Sequence, residues 1–177
     1  MSNSKNSKGI SEAALSVVNI IATNSSNSPG YRMRGNQEIV GSGIIISDDG
    51  YIITNLHIID RKKEINVELE DGQIKTANVI GYDQRSDLAV IKISSPEPLI
   101  PIKLANSKSI YVGDEVFAIG NAFGLGKTFT SGIVSATGRD YGNPYLELIQ
   151  TDAAINPGNS GCLLYTSDAA DDSLRVD

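Results

Sequence analysis

Short apolar runs rich in Ile and Val, separated by turn signals, most strongly limit how this chain can fold. Glu64 to Leu69 alternates charged and apolar residues, as does a strand with one buried face. Asp48-Asp49-Gly50 and Asp71-Gly72 are predicted hairpin turns, because Asp and Gly favour the backbone conformations that tight turns need. Ser11 to Ile21 is expected to begin as a helix and pass into a first strand. The next predicted strands are Gly41 to Ile46, Tyr51 to Thr54, Glu64 to Leu69, Ile74 to Ile80 and Leu88 to Ile93.

A proline-punctuated linker, Ser95 to Pro101, separates this group of predicted strands from a second group. The second group comprises Glu115 to Ile119, Lys127 to Ala136 and Leu146 to Thr151. No run outside Ser11 to Ile21 shows helical periodicity. The pattern therefore predicts an all-β chain whose strands fall into two sets.

The composition excludes several classes of function. The formal net charge is −6 at pH 7, and half of it comes from residues 162–177, which carry four Asp and one Arg. The remaining chain is only mildly acidic and shows no basic stripe, so no nucleic-acid partner is expected. His57 is the single histidine and Cys162 the single cysteine, so neither a metal site nor a cofactor is expected.

Three residues could together form a nucleophilic catalytic site. A serine hydroxyl needs a base within hydrogen-bond reach, and the imidazole of His57 is the base expected for Ser160. A carboxylate on the other ring nitrogen holds the imidazole in the required tautomer, which is the role predicted for Asp87. The chain order His, Asp, Ser is that of the chymotrypsin-type proteases. Each residue alone is more often structural: a partly buried histidine, a strand cap and a loop serine.

The turn Asn156-Pro157-Gly158-Asn159-Ser160-Gly161 is predicted to supply an oxyanion hole as well as the nucleophile. Gly158 allows the backbone before Ser160 to fold so that the amides of Gly158, Asn159 and Ser160 converge on a developing negative charge. A surface loop of turn-forming residues is the alternative interpretation of this segment taken alone.

The residues around these three positions resemble the protease domain of the HtrA family. The resemblance covers residues 11–161 and looks closest to the DegS branch, whose sensor loop is similar to Thr137 to Pro144. The matching segments are Gly41 to Ile46, Gly50 to Ile59, Ser86 to Ile93, Gly113 to Asn121, Thr130 to Ala136 and Gln150 to Gly161.

The resemblance implies an ATP-independent serine endopeptidase with a chymotrypsin-like double β-barrel and His57, Asp87 and Ser160 as its catalytic triad. It places a trypsin-like protease domain at residues 11–161, with a first barrel over about 11–95 and a partial second barrel over about 102–161. The second barrel is expected to be incomplete, because a barrel needs about six strands and few precede Ser160.

The resemblance also implies partners and a location. Polypeptides are the expected substrates, namely misfolded or regulatory envelope proteins, and a homotrimer is the expected assembly. The expected location is the bacterial periplasm or the periplasmic face of the inner membrane. DegS-like proteins carry an N-terminal anchor, family members usually carry a PDZ domain after the protease domain, and we expect this chain to lack both.

Residues 162–177 depart from the family pattern. Cys162 stands where the family has a second glycine. The segment from Cys162 to Asp172 can be back-translated into the mosaic end and adapter of transposase-based sequencing libraries. We therefore expect residues 162–177 to be a non-native tail and the fragment to be inactive, since the family's specificity pocket follows this point. A genuine divergent tail with a short helix capped at Ser167 is the open alternative.

The N-terminal part carries no targeting pattern. Residues 1–10 are polar and expected to be disordered. The apolar stretch from Ala13 to Ala22 is short and contains Asn19, so neither an export signal nor a membrane span is expected. The alternative function is a protease-fold binding or scaffold protein without activity. A cysteine-type hydrolase using Cys162 is disfavoured, because Cys162 lies beyond the predicted oxyanion turn.

Overall fold

Two antiparallel sheets and an N-terminal helix dominate the architecture. The computed structural model describes residues 3–23, 39–121, 126–140, 142 and 147–166. The helices are α1 (Asn3–Ala14), α2 (Leu56–Ile59) and a 3-10 helix (Ser107–Ser109). The strands are β1 (Val17–Thr23), β2 (Ile39–Ile45), β3 (Tyr51–Asn55), β4 (Glu64–Glu68), β5 (Ile74–Thr76), β6 (Asn78–Asp83), β7 (Leu88–Lys92), β8 (Glu115–Gly120), β9 (Thr128–Arg139), β10 (Leu148–Thr151) and β11 (Leu163–Thr166).

The first sheet contains seven strands in the order β5-β4-β1-β2-β3-β7-β6 and curls into a half barrel. Ile20, Ile52 and Ile91 project from β1, β3 and β7 into one core and are fully buried. The predicted strands are confirmed, except that Ile74 to Ile80 divides into two strands. The division falls at Ala77, which is buried and donates its N–H to the carbonyl of Ile65 at 2.8 Å. Beyond Ala77 the chain leaves β4 and pairs with β7.

Both predicted hairpin turns are confirmed, and each depends on a glycine. Gly50 has φ +104° and lies between β2 and β3. Gly72 has φ +80° and lies between β4 and β5. A residue with a Cβ rarely adopts these dihedrals, so the glycines set where the strands reverse direction.

The N-terminus differs from the expected disorder over residues 1–10, because α1 begins at Asn3. The helix is held at its far end, where Ala13 and Ala14 are buried beside Val17, Ile44 and Tyr165. Burial of the C-terminal end of α1 against the sheets therefore stabilises the helix, although its first residues are polar. The expected passage from helix to strand within Ser11 to Ile21 is confirmed.

The second sheet contains four strands in the order β10-β9-β8-β11. The three strands predicted after the linker are present as β8, β9 and β10. The fourth, β11, lies in the segment expected to be a non-native tail and pairs with β8 from Leu163↔Ile119 to Thr166↔Val116. Strand pairing uses backbone groups that every non-proline residue carries, so it does not bear on where the tail comes from. The non-native tail stays a prediction.

One apolar cluster joins the two sheets to α1. Ile44 of β2, Ile119 of β8 and Tyr165 of β11 are buried together with the end of the helix. Burial of apolar side chains from both sheets fixes their relative position, which matters because the candidate catalytic residues come from both. In the part of the chain that the structure describes, no helix is long and apolar enough to cross a membrane.

Candidate active site

His57 and Asp87 are brought together by the pairing of β3 with β7. β3 ends at Asn55, which is paired with Leu88 at the start of β7. His57 follows β3 on the four-residue helix α2, and Asp87 directly precedes β7. The two side chains therefore emerge at the same end of neighbouring strands, although 30 residues separate them in the chain.

The contact between His57 and Asp87 uses both carboxylate oxygens. Nδ1 of His57 lies 2.6 Å from Oδ2 of Asp87, and the backbone N–H of His57 donates to Oδ1 at 2.9 Å. Two hydrogen bonds fix the backbone of Asp87. Its carbonyl accepts the N–H of Leu56 at 2.9 Å and the side-chain amide of Asn55 at 3.0 Å. This geometry orients the imidazole with its Nε2 directed away from the carboxylate.

Asp87 has φ +55°, in the left-handed region that Asp and Asn tolerate better than most residues. The side chains of His57 and Asp87 remain 54% and 44% exposed. Water screens a pair this exposed, so the pair contributes little to folding stability. Its backbone strain and bidentate geometry are more consistent with positioning an imidazole than with stabilising the fold.

Ser160 lies in a tight turn closed by two backbone hydrogen bonds. The N–H of Asn159 donates to the carbonyl of Asn156 at 3.0 Å, and the N–H of Cys162 donates to the carbonyl of Asn159 at 2.8 Å. Gly158 and Gly161 adopt φ of +95° and +78°, which requires glycine or a strained substitute.

The turn is fastened to the first sheet at β2. The N–H of Ser42 donates to the carbonyl of Ser160 at 2.8 Å. Gly161 approaches so closely that a Cβ on it would collide with the carbonyl oxygen of Ser42. Gly41 on β2 lies close to both segments. A Cβ added to Gly41 would lie 2.5 Å from the side chain of Ile58, the neighbour of His57, and 3.3 Å from the carbonyl oxygen of Ser160. Ser160 thus lies against the same corner of the first sheet as α2.

The structure brings His57 and Asp87 into direct contact, and it connects Ser160 to them through the backbone of β2. Within the described residues the hydroxyl of Ser160 makes no hydrogen bond to His57. Such bonds are often long or misaligned in a protease without substrate and tighten when substrate binds.

The three predicted oxyanion amides are not equivalent. The N–H of Asn159 is occupied by Asn156, whereas the N–H groups of Gly158 and Ser160 meet no acceptor among the described residues. Among the described residues, only the N–H groups of Gly158 and Ser160 are thus free for a further acceptor. The motif alone does not show which N–H closes the turn, and the oxyanion role of the three amides stays a prediction.

Sequence reasoning missed Ser42, a buried polar residue beside the turn, and the burial of the Asn159 side chain within it. Ser42 is fully buried and touches the turn twice. The side chain of Asn159 is 1% exposed, and neither its oxygen nor its nitrogen has a hydrogen-bond partner among the described residues. The segment Gly41-Ser42-Gly43 places a polar residue between two glycines within a predicted strand. Glycine inside a strand often indicates that another backbone segment approaches closely, so this pattern could have identified Ser42 from the sequence.

Cys162 is poorly suited to act as a nucleophile. Burial raises the pKa of its thiol, which lowers the fraction of reactive thiolate at neutral pH. An added Cβ on Gly120 would lie 2.7 Å from the Cβ of Cys162, so the side chain is packed against the end of β8. Among the described residues there is also no group of three or more His, Cys, Asp or Glu side chains arranged to hold a metal ion.

Comparison with known proteins tests the family resemblance. A family model described as a trypsin-like peptidase domain matches residues 41–170. The periplasmic serine endoprotease DegP of Escherichia coli is 54% identical over 125 residues, which are 69% of this chain and 26% of that protein. This chain belongs to the HtrA family of serine proteases.

Other HtrA-type proteins agree with this assignment. A probable periplasmic serine protease of Haemophilus influenzae, described as do/HhoA-like, is 50% identical over 126 residues, or 69% of this chain and 27% of that protein. The solved structure of the HtrA-type protease AlgW with a tripeptide has a TM-score of 0.82 and 40% identity, covering 93% of this chain and 51% of that one. The predicted chymotrypsin-like fold with an incomplete second barrel is thereby confirmed.

The match has definite limits along the chain. This HtrA-family chain spans about a quarter of the length of the curated relatives that it matches and about half of the solved structure. The family model extends past Gly161 to residue 170, so it includes part of the segment predicted to be a non-native tail. The predicted sensor loop, Thr137 to Pro144, lies partly outside the described residues.

Proposed function

We propose that this protein is a serine-type endopeptidase in which Ser160 is the nucleophile, His57 the general base and Asp87 the residue that orients the base. The observation that carries the proposal is the double contact of Asp87 with His57, at 2.6 Å to Nδ1 and 2.9 Å to the backbone N–H. A carboxylate placed this way selects the tautomer with hydrogen on Nδ1, which leaves Nε2 free to accept a proton.

The reaction follows from these positions. The hydroxyl oxygen of Ser160 attacks the carbonyl carbon of a peptide bond, and its proton passes to Nε2 of His57. The carbonyl oxygen becomes an oxyanion, which the free N–H groups of Gly158 and Ser160 stabilise. His57 then gives its proton to the leaving amine, and an acyl-enzyme remains on Ser160. A water molecule then gives a proton to His57 and attacks the acyl carbon. The bond between the acyl carbon and Oγ of Ser160 breaks, His57 returns the proton to Oγ, and the acid product leaves.

The family and its named relatives support the wider biological proposal. We infer that the substrates are misfolded or regulatory envelope polypeptides and that the protein acts in the periplasm, because the relatives are named periplasmic proteases. A homotrimer and a position at the periplasmic face of the inner membrane are proposed from the DegS resemblance. The names of the compared relatives point to the DegP type, so the DegS branch stays a prediction.

We also propose that the polypeptide of residues 1–177 cleaves protein substrates little or not at all. The described second sheet has four strands, and His57 and Asp87 are about half exposed to water. One cavity of about 660 Å³ lies between α1, residues 100–105 and β11, and neither His57 nor Ser160 lines it. The family's specificity pocket is expected from strands that follow Gly161, whereas covalent reaction at Ser160 itself does not require that pocket.

Covalent labelling tests the proposed chemistry without requiring turnover. A fluorophosphonate should phosphonylate Ser160 in the purified chain, with the adduct located by peptide mass spectrometry. Ser160→Ala should abolish the adduct, and His57→Ala should slow its formation by about 10³-fold or more. An unlabelled chain that is folded by circular dichroism would instead support the alternative, a protease-fold binding or scaffold protein without activity.

A further inference from the structure

Ser42 is a buried polar residue that the proposed reaction does not use. It lies on β2 in the first sheet, and its side chain is fully buried. Its side chain joins elements that are far apart in the chain. Its position at the junction of the two sheets makes it a candidate for controlling the geometry of the Ser160 turn.

Every polar group of Ser42 has a partner. Its carbonyl accepts the hydroxyl of Thr54 at 2.8 Å, and its N–H donates to the carbonyl of Ser160 at 2.8 Å. Its hydroxyl oxygen accepts the N–H of Asn121 at 2.9 Å, and its hydroxyl O–H donates to the carbonyl of Gly158 at 3.4 Å. One residue therefore connects the first sheet, the end of β8 and the candidate oxyanion turn.

These contacts immobilise the peptide groups around Ser160. The peptide between Gly158 and Asn159 is held at both ends, by the Ser42 hydroxyl at its carbonyl and by Asn156 at its N–H. The carbonyl of Ser160 is held by the Ser42 N–H. In the intervening peptide the carbonyl of Asn159 accepts the N–H of Cys162. Since N–H and C=O of a trans peptide point in opposite directions, the N–H of Ser160 is directed away from Cys162.

We propose that the hydroxyl of Ser42 is a positioning residue for the oxyanion hole. By holding the carbonyl of Gly158, it keeps the free amides of Gly158 and Ser160 aligned for one oxyanion. The inference rests on the proposed function, because it concerns the geometry of that same site. Without the hydroxyl, the buried N–H of Asn121 and the partly buried carbonyl of Gly158 both lose a partner, and we expect the turn to shift to satisfy them.

The test compares two substitutions that each delete one buried serine hydroxyl. Ser42→Ala should lower the rate of fluorophosphonate labelling per folded molecule by about 10- to 100-fold, since displacing the oxyanion donors should cost less than removing one donor, which costs about 10²- to 10³-fold. Ser16→Ala is the matched control, because Ser16 is 1% exposed and lies at the start of β1, away from the turn. It should leave the labelling rate within about twofold of the original.

Further readouts separate positioning from a loss of stability. The folded fraction of each variant is measured by thermal melting and used to correct the rates. The pH dependence of labelling should keep its midpoint in Ser42→Ala, because the contact of His57 with Asp87 is untouched. Amide resonances of Gly158 and Ser160 in ¹H–¹⁵N spectra should move in Ser42→Ala and stay in place in Ser16→Ala.

The outcomes are distinct. Equal rates for Ser42→Ala and the original chain, or a decrease explained by the unfolded fraction, would overturn the proposal. So would an equal decrease in Ser16→Ala. If the original chain is not labelled at all, the proposed function fails and the role of Ser42 in the reaction fails with it. In that case moved resonances would still show that Ser42 orients the turn, and unmoved resonances would refute the orientation itself.

Discussion

Asp87→Asn separates the catalytic role of the carboxylate from its structural role. The oxygen of the new amide can still accept the backbone N–H of His57, which Oδ1 of Asp87 accepts at 2.9 Å. The carbonyl of residue 87 keeps its bonds to Leu56 and Asn55. Asn also tolerates φ +55°. Because the contact between His57 and Asp87 is about half exposed, we expect the free energy of unfolding to change by about 1 kcal/mol or less.

The effect on reactivity should be far larger than the effect on stability. The amide nitrogen of Asn would occupy the position of Oδ2, which lies 2.6 Å from Nδ1 of His57. Two donors cannot face each other, so Nδ1 must become the acceptor and the hydrogen moves to Nε2. That tautomer cannot take the proton of Ser160. The labelling rate should therefore fall by about 10³- to 10⁴-fold, which corresponds to about 4–5.5 kcal/mol.

The assay is the second-order rate constant for fluorophosphonate labelling of Ser160. Asp60→Asn is the matched control, since it removes one exposed carboxylate at the end of α2 without touching the imidazole. A decrease of less than tenfold in Asp87→Asn would refute the argument from tautomers. A comparable decrease in Asp60→Asn would show that net charge near α2, rather than the contact with His57, controls the rate.

Three further predictions follow from the same structure. Lys127→Met should lower the free energy of unfolding by about 1–3 kcal/mol in urea denaturation, because the ammonium donates to the last carbonyl of α1 at 2.6 Å and pairs with Glu70. Gly161→Ala should cost about 3 kcal/mol or more, since it combines φ +78° with a collision against the carbonyl of Ser42. Because burial raises the pKa of Cys162, its alkylation by iodoacetamide at pH 8 should be at least about tenfold slower in the folded chain than in urea.

Each of these predictions has a control within the chain. Lys8→Met removes a lysine that is 81% exposed, so a cost near that of Lys127→Met would contradict the importance of burial. Gly72 has φ +80°, and a Cβ added to it would meet no atom within 4 Å. Gly72→Ala therefore measures only the cost of the left-handed backbone conformation, about 1–2 kcal/mol. If Gly161→Ala is no worse than Gly72→Ala, the inferred collision is absent. Equal alkylation rates for folded and unfolded Cys162 would refute its burial.

Local patterns predicted most of the strands because the information lies within a few residues. The alternation in Glu64 to Leu69 and the turn glycines Gly50 and Gly72 act through the dihedrals and exposure of neighbouring positions. The same logic failed at residues 3–10, where a polar segment is helical because its end is buried against the sheets. Local patterns also failed at Ala77, where the predicted strand Ile74 to Ile80 divides: its first part pairs with β4 and its second part with β7.

The sequence by itself determined most of the strand segments, the hairpin turns and the candidate residues His57, Asp87 and Ser160. Only the tertiary structure decided that both oxygens of Asp87 meet His57, that the N–H of Asn159 closes the turn, and that Ser42 holds the carbonyl of Gly158. The physical reason is distance along the chain. Ser42 and Gly158 are 116 residues apart, so their contact exists only once the two sheets have packed around a shared core.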